Sequence, residues 1–298
     1  MTAARLTRRS FLGAAAASAA VAGCPLPLRA QPKSIKVGLL HCVTGPLAEP
    51  GQACRLAAQI AIDQVNAAGG VKSMGGAKLE AVLGDTQTKA DVARAEAERL
   101  VNAGVNILVG TFNSADSAAV VPVAQQHRVP FLVDISAADP ITANVARSVK
   151  EGQQRVQYVY RNFPTGTLFG VRAVQYFSEI FKAAGVAPRR VVLMHANDLF
   201  GQNQARGFQA AHKAASPSWD IVEVIPWPEP PSDLATEVAR AKAAKPDVIA
   251  PITRPASAQL LLPELAKQRV EIWAWWVRAA PGSTRPGRSR PSRSTSST

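Results

Sequence analysis

From residue 35 almost to residue 272, short aliphatic and β-branched runs alternate with stretches whose apolar positions recur every three or four residues. That alternation predicts parallel strands, buried on both faces and joined by amphipathic helices. The first run, residues 35–40, is almost wholly apolar and predicts a central strand. A helix follows over residues 51–68, with Ala53, Leu56, Ala57, Ile60 and Ala61 as its expected buried stripe and Gly69-Gly70 as its stop. Residues 78–83 make the next strand, and Asp85 leads to a helix over 91–103 that turns Ala93, Ala97, Leu100 and Val101 to one side. Arg94 and Glu98, four apart, fall on another side as solvated partners. Strands at 107–109 and 129–133, with a helix starting near Asp116 between them, fill out a first α/β lobe.

Residues 139–157 interrupt this rhythm and are expected to be an irregular approach to a crossover, with an extended segment at 158–163 before Pro164. The pattern then repeats: helices at 167–184, 201–214, 234–244 and 256–267 alternate with strands at 190–195, 221–225 and 248–252. Phe169, Ala173, Tyr176, Phe177 and Ile180 form the expected core stripe of the first of these helices. The fold class is therefore α/β, two Rossmann-like lobes with parallel sheets flanked by helices. The expected boundaries place lobe 1 at residues 31–162 and lobe 2 at 163–276.

Two ends lie outside this pattern. Thr7-Arg8-Arg9-Ser10-Phe11-Leu12 is a twin-arginine export pattern, followed by an apolar run from Phe11 to Val21 that is too short to span a bilayer. Residues 1–30 are thus expected to be a signal peptide, which leaves no transmembrane segment in a mature periplasmic chain. Cleavage after Ala30 is one alternative; a lipoprotein box at Val21-Ala22-Gly23-Cys24, with an anchor on Cys24, is the other. At the far end, residues 277–298 are almost wholly Arg, Ser, Thr, Pro, Gly and Ala, a composition that buries no apolar surface and predicts disorder.

These ends change the meaning of the charge. The formal net charge is +13, but nine of the 34 basic residues lie in residues 1–30 and 272–298, where there is no acid. The remaining 25 face all 21 Asp and Glu, a net of +4, so nucleic acid is not an expected partner. Three cysteines make no disulfide framework. Cys42 and Cys54 can be read as a pair in an oxidising compartment or as two half-buried thiols.

Enzyme signatures are missing from the sequence. It contains no dinucleotide or phosphate glycine loop, no nucleophile elbow and no His-Glu-x-x-His, and its four histidines have no metal spacing. No cofactor or metal is expected. His41 and His195 fall at carboxyl ends of strands, where open sheets bind ligands, without an identifiable carboxylate partner.

The loops after the strands carry more. Ile35-Lys36-Val37-Gly38-Leu39-Leu40, Thr44-Gly45-Pro46-Leu47-Ala48, Asp63-Gln64-Val65-Asn66-Ala67-Ala68-Gly69-Gly70-Val71, Leu108-Val109-Gly110-Thr111-Phe112-Asn113-Ser114, Tyr160-Arg161-Asn162-Phe163-Pro164 and Asn197-Asp198-Leu199-Phe200-Gly201 appear in this order. In these motifs the chain resembles the type I periplasmic solute-binding proteins, specifically the branched-chain amino acid receptors of ABC transporters. The resemblance implies a hinged clamp: two lobes close on a small solute, an amino acid or related carboxylated compound, and present it to a permease. It implies a binder and not an enzyme. A sensory ligand-binding module and a non-functional truncated product are the alternatives.

The resemblance places Thr44 in the first contact loop and Ser114 among the carboxylate contacts. Asn113-Ser114 at a helix start also suits an anion, and would serve equally as a plain N-cap. Ser136 and Ala137 match the second contact loop. Phe200 matches a position that stacks on the solute, beside Asp198. Arg254, after the strand at 248–252, is either a cation for an acidic solute or a solvated loop arginine.

Family members run on past this length and return to lobe 1, so lobe 1 is expected to be incomplete here. The abrupt change of composition near Ile272 is read as out-of-frame translation, with a basic tail for anionic lipid or polymer as the rival; translating the other two frames of the DNA separates them.

Overall fold

A computed structural model describes residues 34–270, 272, 274 and 275. The expected signal peptide, both cleavage sites with Cys24, and the tail at 277–298 lie outside the described residues.

The first unit contains β1 (Ile35–His41), α1 (Ala48–Ala67), β2 (Leu79–Asp85), α2 (Ala90–Asn102), β3 (Ile107–Gly110), α3 (Ser114–His127), β4 (Phe131–Val133), α4 (Pro140–Lys150) and β5 (Val159–Arg161). Its five strands are parallel in the order β2-β1-β3-β4-β5. On one face Ala93, Ala97 and Leu100 of α2 and Val120 and Val123 of α3 pack against Leu40, Leu108, Phe131 and Val159. On the other, Ile62 and Ala58 of α1 cover Val37, Leu39, Leu79 and Ile107. Gly110 ends β3 with a φ of 146°, and a Cβ there would collide with the Leu40 carbonyl. Only glycine lets β3 turn into α3 this close to β1.

The second unit holds α5 (Gly166–Ala184), β6 (Arg190–Ala196), α6 (Leu199–Ala215), β7 (Asp220–Trp227), α7 (Ala235–Ala243), β8 (Val248–Ile252), α8 (Pro255–Lys267) and β9 (Ala274–Trp275). Its sheet is again parallel, β7-β6-β8-β9. One face buries Trp227, Leu234, Val238 and Leu261, the other Phe177, Phe181, Phe208 and Trp219. No helix among the described residues is long and apolar enough to cross a membrane.

Three expectations need correction. Residues 139–157 contain α4, with Ile141 and Val145 buried. Pro140 at its start and Arg147 and Lys150 in its last turn are ordinary helix signals, masked by a stripe only two residues long. On α1 the predicted stripe points outward: Leu56 is 62 % and Ile60 47 % exposed, Ala53, Ala57 and Ala61 are exposed too, and Gly51 and Ile62 are the buried positions. On α5, Tyr176 and Ile180 are exposed, while Gly170, Val174, Phe177 and Phe181 face inward. The rotation follows from α6, since Gly170 lies so close to Gly207 and the Phe208 amide that a Cβ would strike backbone. Two glycines bring the helix axes together, and the faces that follow from that approach are the ones buried.

One passage joins the units in the described chain, between β5 and α5. It is tied on both sides. The Arg161 guanidinium donates to the Ser136 and Ala138 carbonyls and to Thr142 Oγ1. The Gly166 amide donates to the Ala137 carbonyl at 2.7 Å. Asp139 accepts from the amide and hydroxyl of Thr167, and its own amide donates to Asn203 Oδ1 on α6.

Candidate functional site

Residues that follow β3 and β8, at the carboxyl ends of parallel strands, meet where Arg254 approaches Phe112 and Asn113, and carboxyl ends are where open α/β sheets bind ligands. On the first unit the turn from β3 places Asn113 at the N-cap position of α3, with extended backbone angles. Its side chain does not cap the helix. Asn113 Nδ2 donates instead to Asp116 Oδ1 at 2.8 Å, and Thr86 Oγ1 donates to Asp116 Oδ2 at 2.5 Å. Burial pushes the Asp116 carboxyl above its ordinary value, while those two hydrogen bonds and the charge of Arg254 oppose the shift. The first turn of α3 thus has no side-chain cap, and the buried Ser114 hydroxyl there has no hydrogen-bond partner. An orphaned donor at an uncapped helix N-terminus is suited to an anion.

Beneath it, three hydroxyls lock the two loops of this unit. Thr111 Oγ1 and Ser117 Oγ lie 2.8 Å apart, Ser117 donates to Ser136 Oγ at 2.7 Å, and Ser136 donates to the Thr111 carbonyl at 2.6 Å.

On the second unit Asp198 caps α6, accepting from the Gly201 amide at 2.8 Å. Its other oxygen accepts from Arg254 Nε at 3.1 Å and Nη2 at 2.5 Å. Arg254, 4 % exposed, stands between β8 and α8 with its guanidinium 4.6 Å from the Phe200 ring centroid and 5.8 Å from that of Phe112. Nη2 also lies 3.4 Å from Asn113 Oδ1. Arg254 is therefore neither a free cation nor a solvated loop arginine. It is a buried, paired and stacked group that bridges the units.

Of the expected site residues, Asn113, Asp198 and Phe200 each come into contact with Arg254, with Ser114 next to Asn113 in the chain. Thr44 does not join them by any contact; it is exposed and gives its hydroxyl to Asp85 at 2.6 Å. Ser136 and Ala137 are buried behind the site, the first in the hydroxyl cluster and the second at the crossover. Sequence reasoning missed Phe112, Thr86 and Asp116 as parts of the site, although Asp116 was legible as a helix-start acid. Glu229, which follows β7, accepts from Ser257 Oγ at 2.5 Å and Trp227 Nε1 at 3.1 Å, a pairing the sequence did not show. An acid inside Trp227-Pro228-Glu229-Pro230-Pro231 reads as loop punctuation. His41 does have a carboxylate partner, with Nε2 2.7 Å from Asp134 Oδ2. Cys42 and Cys54 are free thiols, each pushed up to about 12, chiefly by burial.

At the carboxyl ends of β3 and β8 the two α/β units thus meet, with Arg254 reaching across to Asn113. The profile of a family described as periplasmic binding protein matches residues 34–271. The chain belongs to that family. Among curated relatives, the leucine-, isoleucine-, valine-, threonine- and alanine-binding protein of Pseudomonas aeruginosa is 28 % identical over 172 residues, 58 % of this chain and 41 % of the relative. The Leu/Ile/Val-binding protein of Citrobacter freundii is 28 % identical over 75 % of this chain and 56 % of its own length. The chain thus spans about half the length of these periplasmic binding proteins. Among solved structures, the substrate-binding protein LivJ of Streptococcus pneumoniae, in complex with isoleucine, superposes with a TM-score of 0.67 at 23 % identity, over 80 % of this chain and 63 % of that one. A solute-binding protein of an ABC transporter from Rhodopseudomonas palustris BisB5, in complex with 3,4-dihydroxybenzoic acid, gives 0.63 at 24 % identity, over 79 % and 59 %. These likenesses establish the fold: parallel α/β, of the periplasmic binding protein type.

Proposed function

We propose that this chain is the extracytoplasmic solute-binding component of an ABC uptake transporter, and that it holds a small carboxylated solute, an amino acid or a related acid, in the cleft. One observation carries the reading: the uncapped N-terminus of α3 with the unpartnered, buried Ser114 hydroxyl, beside Asn113, which Arg254 of the other unit touches while stacked on Phe200. The amides of that turn and the hydroxyl receive the carboxylate. Phe200 and Arg254 then flank the rest of the solute, and contacts with both units favour the shut form. A permease is the partner that would take the solute, and export by the twin-arginine route, with or without an anchor on Cys24, would bring the chain to it. The names of the relatives support the choice between amino acids and aromatic acids as the first panel to test.

A thermal-shift screen of the purified chain against amino acids, amides and aromatic acids tests this. A solute at about one hundred times its Kd adds about 2.7 kcal/mol of stability, enough to raise the midpoint by several degrees. A folded sample that no carboxylate stabilises, at millimolar concentration, rejects the proposal.

A further inference from the structure

A groove of about 350 Å³ opens between the two units, beside the passage from β5 to α5. One wall is the face of α4 that carries Ala143, Asn144 and Arg147, and the other is the face of α6 that carries Asn203, Arg206 and Ala210. None of Asn113, Ser114, Phe200 and Arg254 lines it, so it is separate from the site at α3. Each unit contributes one arginine. Arg94, Arg99, Arg240 and Arg254 all pair with an acid, whereas Arg147 and Arg206 have neither an acid nor a side-chain hydrogen bond among the described residues. Asp139 is the one acid among the lining residues, and its Oδ2 already accepts from the amide and hydroxyl of Thr167. Asn203 is the buried polar residue of the groove, 7 % exposed. Its Oδ1 accepts from the Asp139 amide at 3.1 Å, while its Nδ2 has no acceptor among the described residues and keeps contact with solvent.

We propose that this groove binds a small organic anion bearing two or three carboxylates, which ties α4 of the first unit to α6 of the second. Two like charges lining one groove repel each other, and an anion between them attracts both. Each guanidinium presents a planar fork that matches one carboxylate, and Asn203 Nδ2 adds a neutral donor from the buried side. Size excludes a simple inorganic ion. Small-molecule sites run from about 300 to 1,000 Å³ and one water takes about 30 Å³, so a single phosphate or sulfate would leave most of this groove to solvent. A di- or tricarboxylate reaches both walls.

Calorimetry of citrate with the whole chain, at fixed ionic strength in a buffer without other polyanions, tests the site. Citrate is expected to bind at millimolar concentration or below, and succinate more weakly. Arg147→Gln and Arg206→Gln should each weaken citrate about tenfold or more, the worth of a hydrogen bond to a charged group. Ala210→Phe, at an exposed position, keeps the charge and fills the groove, and should weaken citrate as much. Arg128→Asn removes an exposed arginine outside the groove, at a left-handed position that suits asparagine, and should leave the affinity unchanged. The proposal is overturned if citrate does not bind at millimolar concentration, or if all three groove variants bind it like the unaltered chain. It also falls if Arg128→Asn weakens citrate as much as Arg206→Gln does, since that result means attraction to overall positive charge. Because the groove shares no lining residue with the site at α3, rejection of either reading leaves the other standing.

Discussion

Arg254 carries a full charge at 4 % exposure, and its neighbours show what makes that tolerable. Two of its nitrogens donate to Asp198, one ring lies over it and a second lies close by. Removing the guanidinium leaves Asp198 without its cation. Because the Asp198 side chain is 24 % exposed, water recovers part of the loss. Arg254→Ala is expected to lower unfolding stability by about 2–3 kcal/mol, at the bottom of the range for broken buried pairs, as read from urea titration. Ser114→Ala should behave in the opposite way. Its hydroxyl has no hydrogen-bond partner among the described residues, so stability should hold or rise slightly, while affinity for a carboxylate falls about ten- to a hundredfold. Equal losses of stability and affinity would make Ser114 structural.

The two thiols give a pH signature. In the unfolded chain they ionise near about 8.5. In the native chain burial holds their protons to about 12. Above the lower value the unfolded state binds fewer protons than the native one, so the stability these groups contribute is complete below that pH and is lost as pH rises toward the upper value. Denaturation at stepped alkaline pH, with Cys42→Ser and Cys54→Ser as controls, checks the slope. Residue types and positions at the strand ends were legible in the sequence, which is why Asn113, Asp198, Phe200 and Arg254 could be singled out. Partnership was not: nothing local states that Arg254 pairs with a residue 56 positions earlier.

Among elements, strands were read well because an apolar run in a parallel sheet is buried on both faces and needs no phase. Helices, apart from the missed α4, were read well in extent, and on α1 and α5 poorly in rotation. On α1 and α5 the alanine-rich and aromatic sequences offer more than one apolar stripe, and the stripe that turns inward is chosen by what packs against it. On α5 that choice is made by the Gly170–Gly207 approach. Alanine substitution exposes the phase directly. Phe177→Ala is expected to cost about 3–5 kcal/mol, as a buried ring that touches Phe181, Phe208 and Trp219. Tyr176→Ala, one residue away and exposed, should cost about 0.5 kcal/mol or less. Equal costs would put the helix in the other rotation.

At the scale of the whole molecule, the two units are unequally covered. The face of the first sheet on which α1 lies runs from β2 across to Leu132 and Tyr160, whose positions in β4 and β5 are half-buried and exposed. Together with Leu56 and Ile60 of α1, this is apolar surface in water, which favours self-association. Leu56→Lys with Ile60→Lys should change unfolding stability by about 0.5 kcal/mol or less. The same pair should raise the concentration at which light scattering detects aggregates.

The two thiols also make the order of events matter. Cys42 sits at the end of β1 and Cys54 lies within α1, and both are reduced in the folded chain. A chain that folds before it meets an oxidant arrives with the Cys42 sulfur buried and Cys54 half-buried. One that meets the oxidant while still extended offers two nearby thiols to be joined, and a bond made then would be carried into a fold in which Cys42 is otherwise buried and Cys54 half-buried.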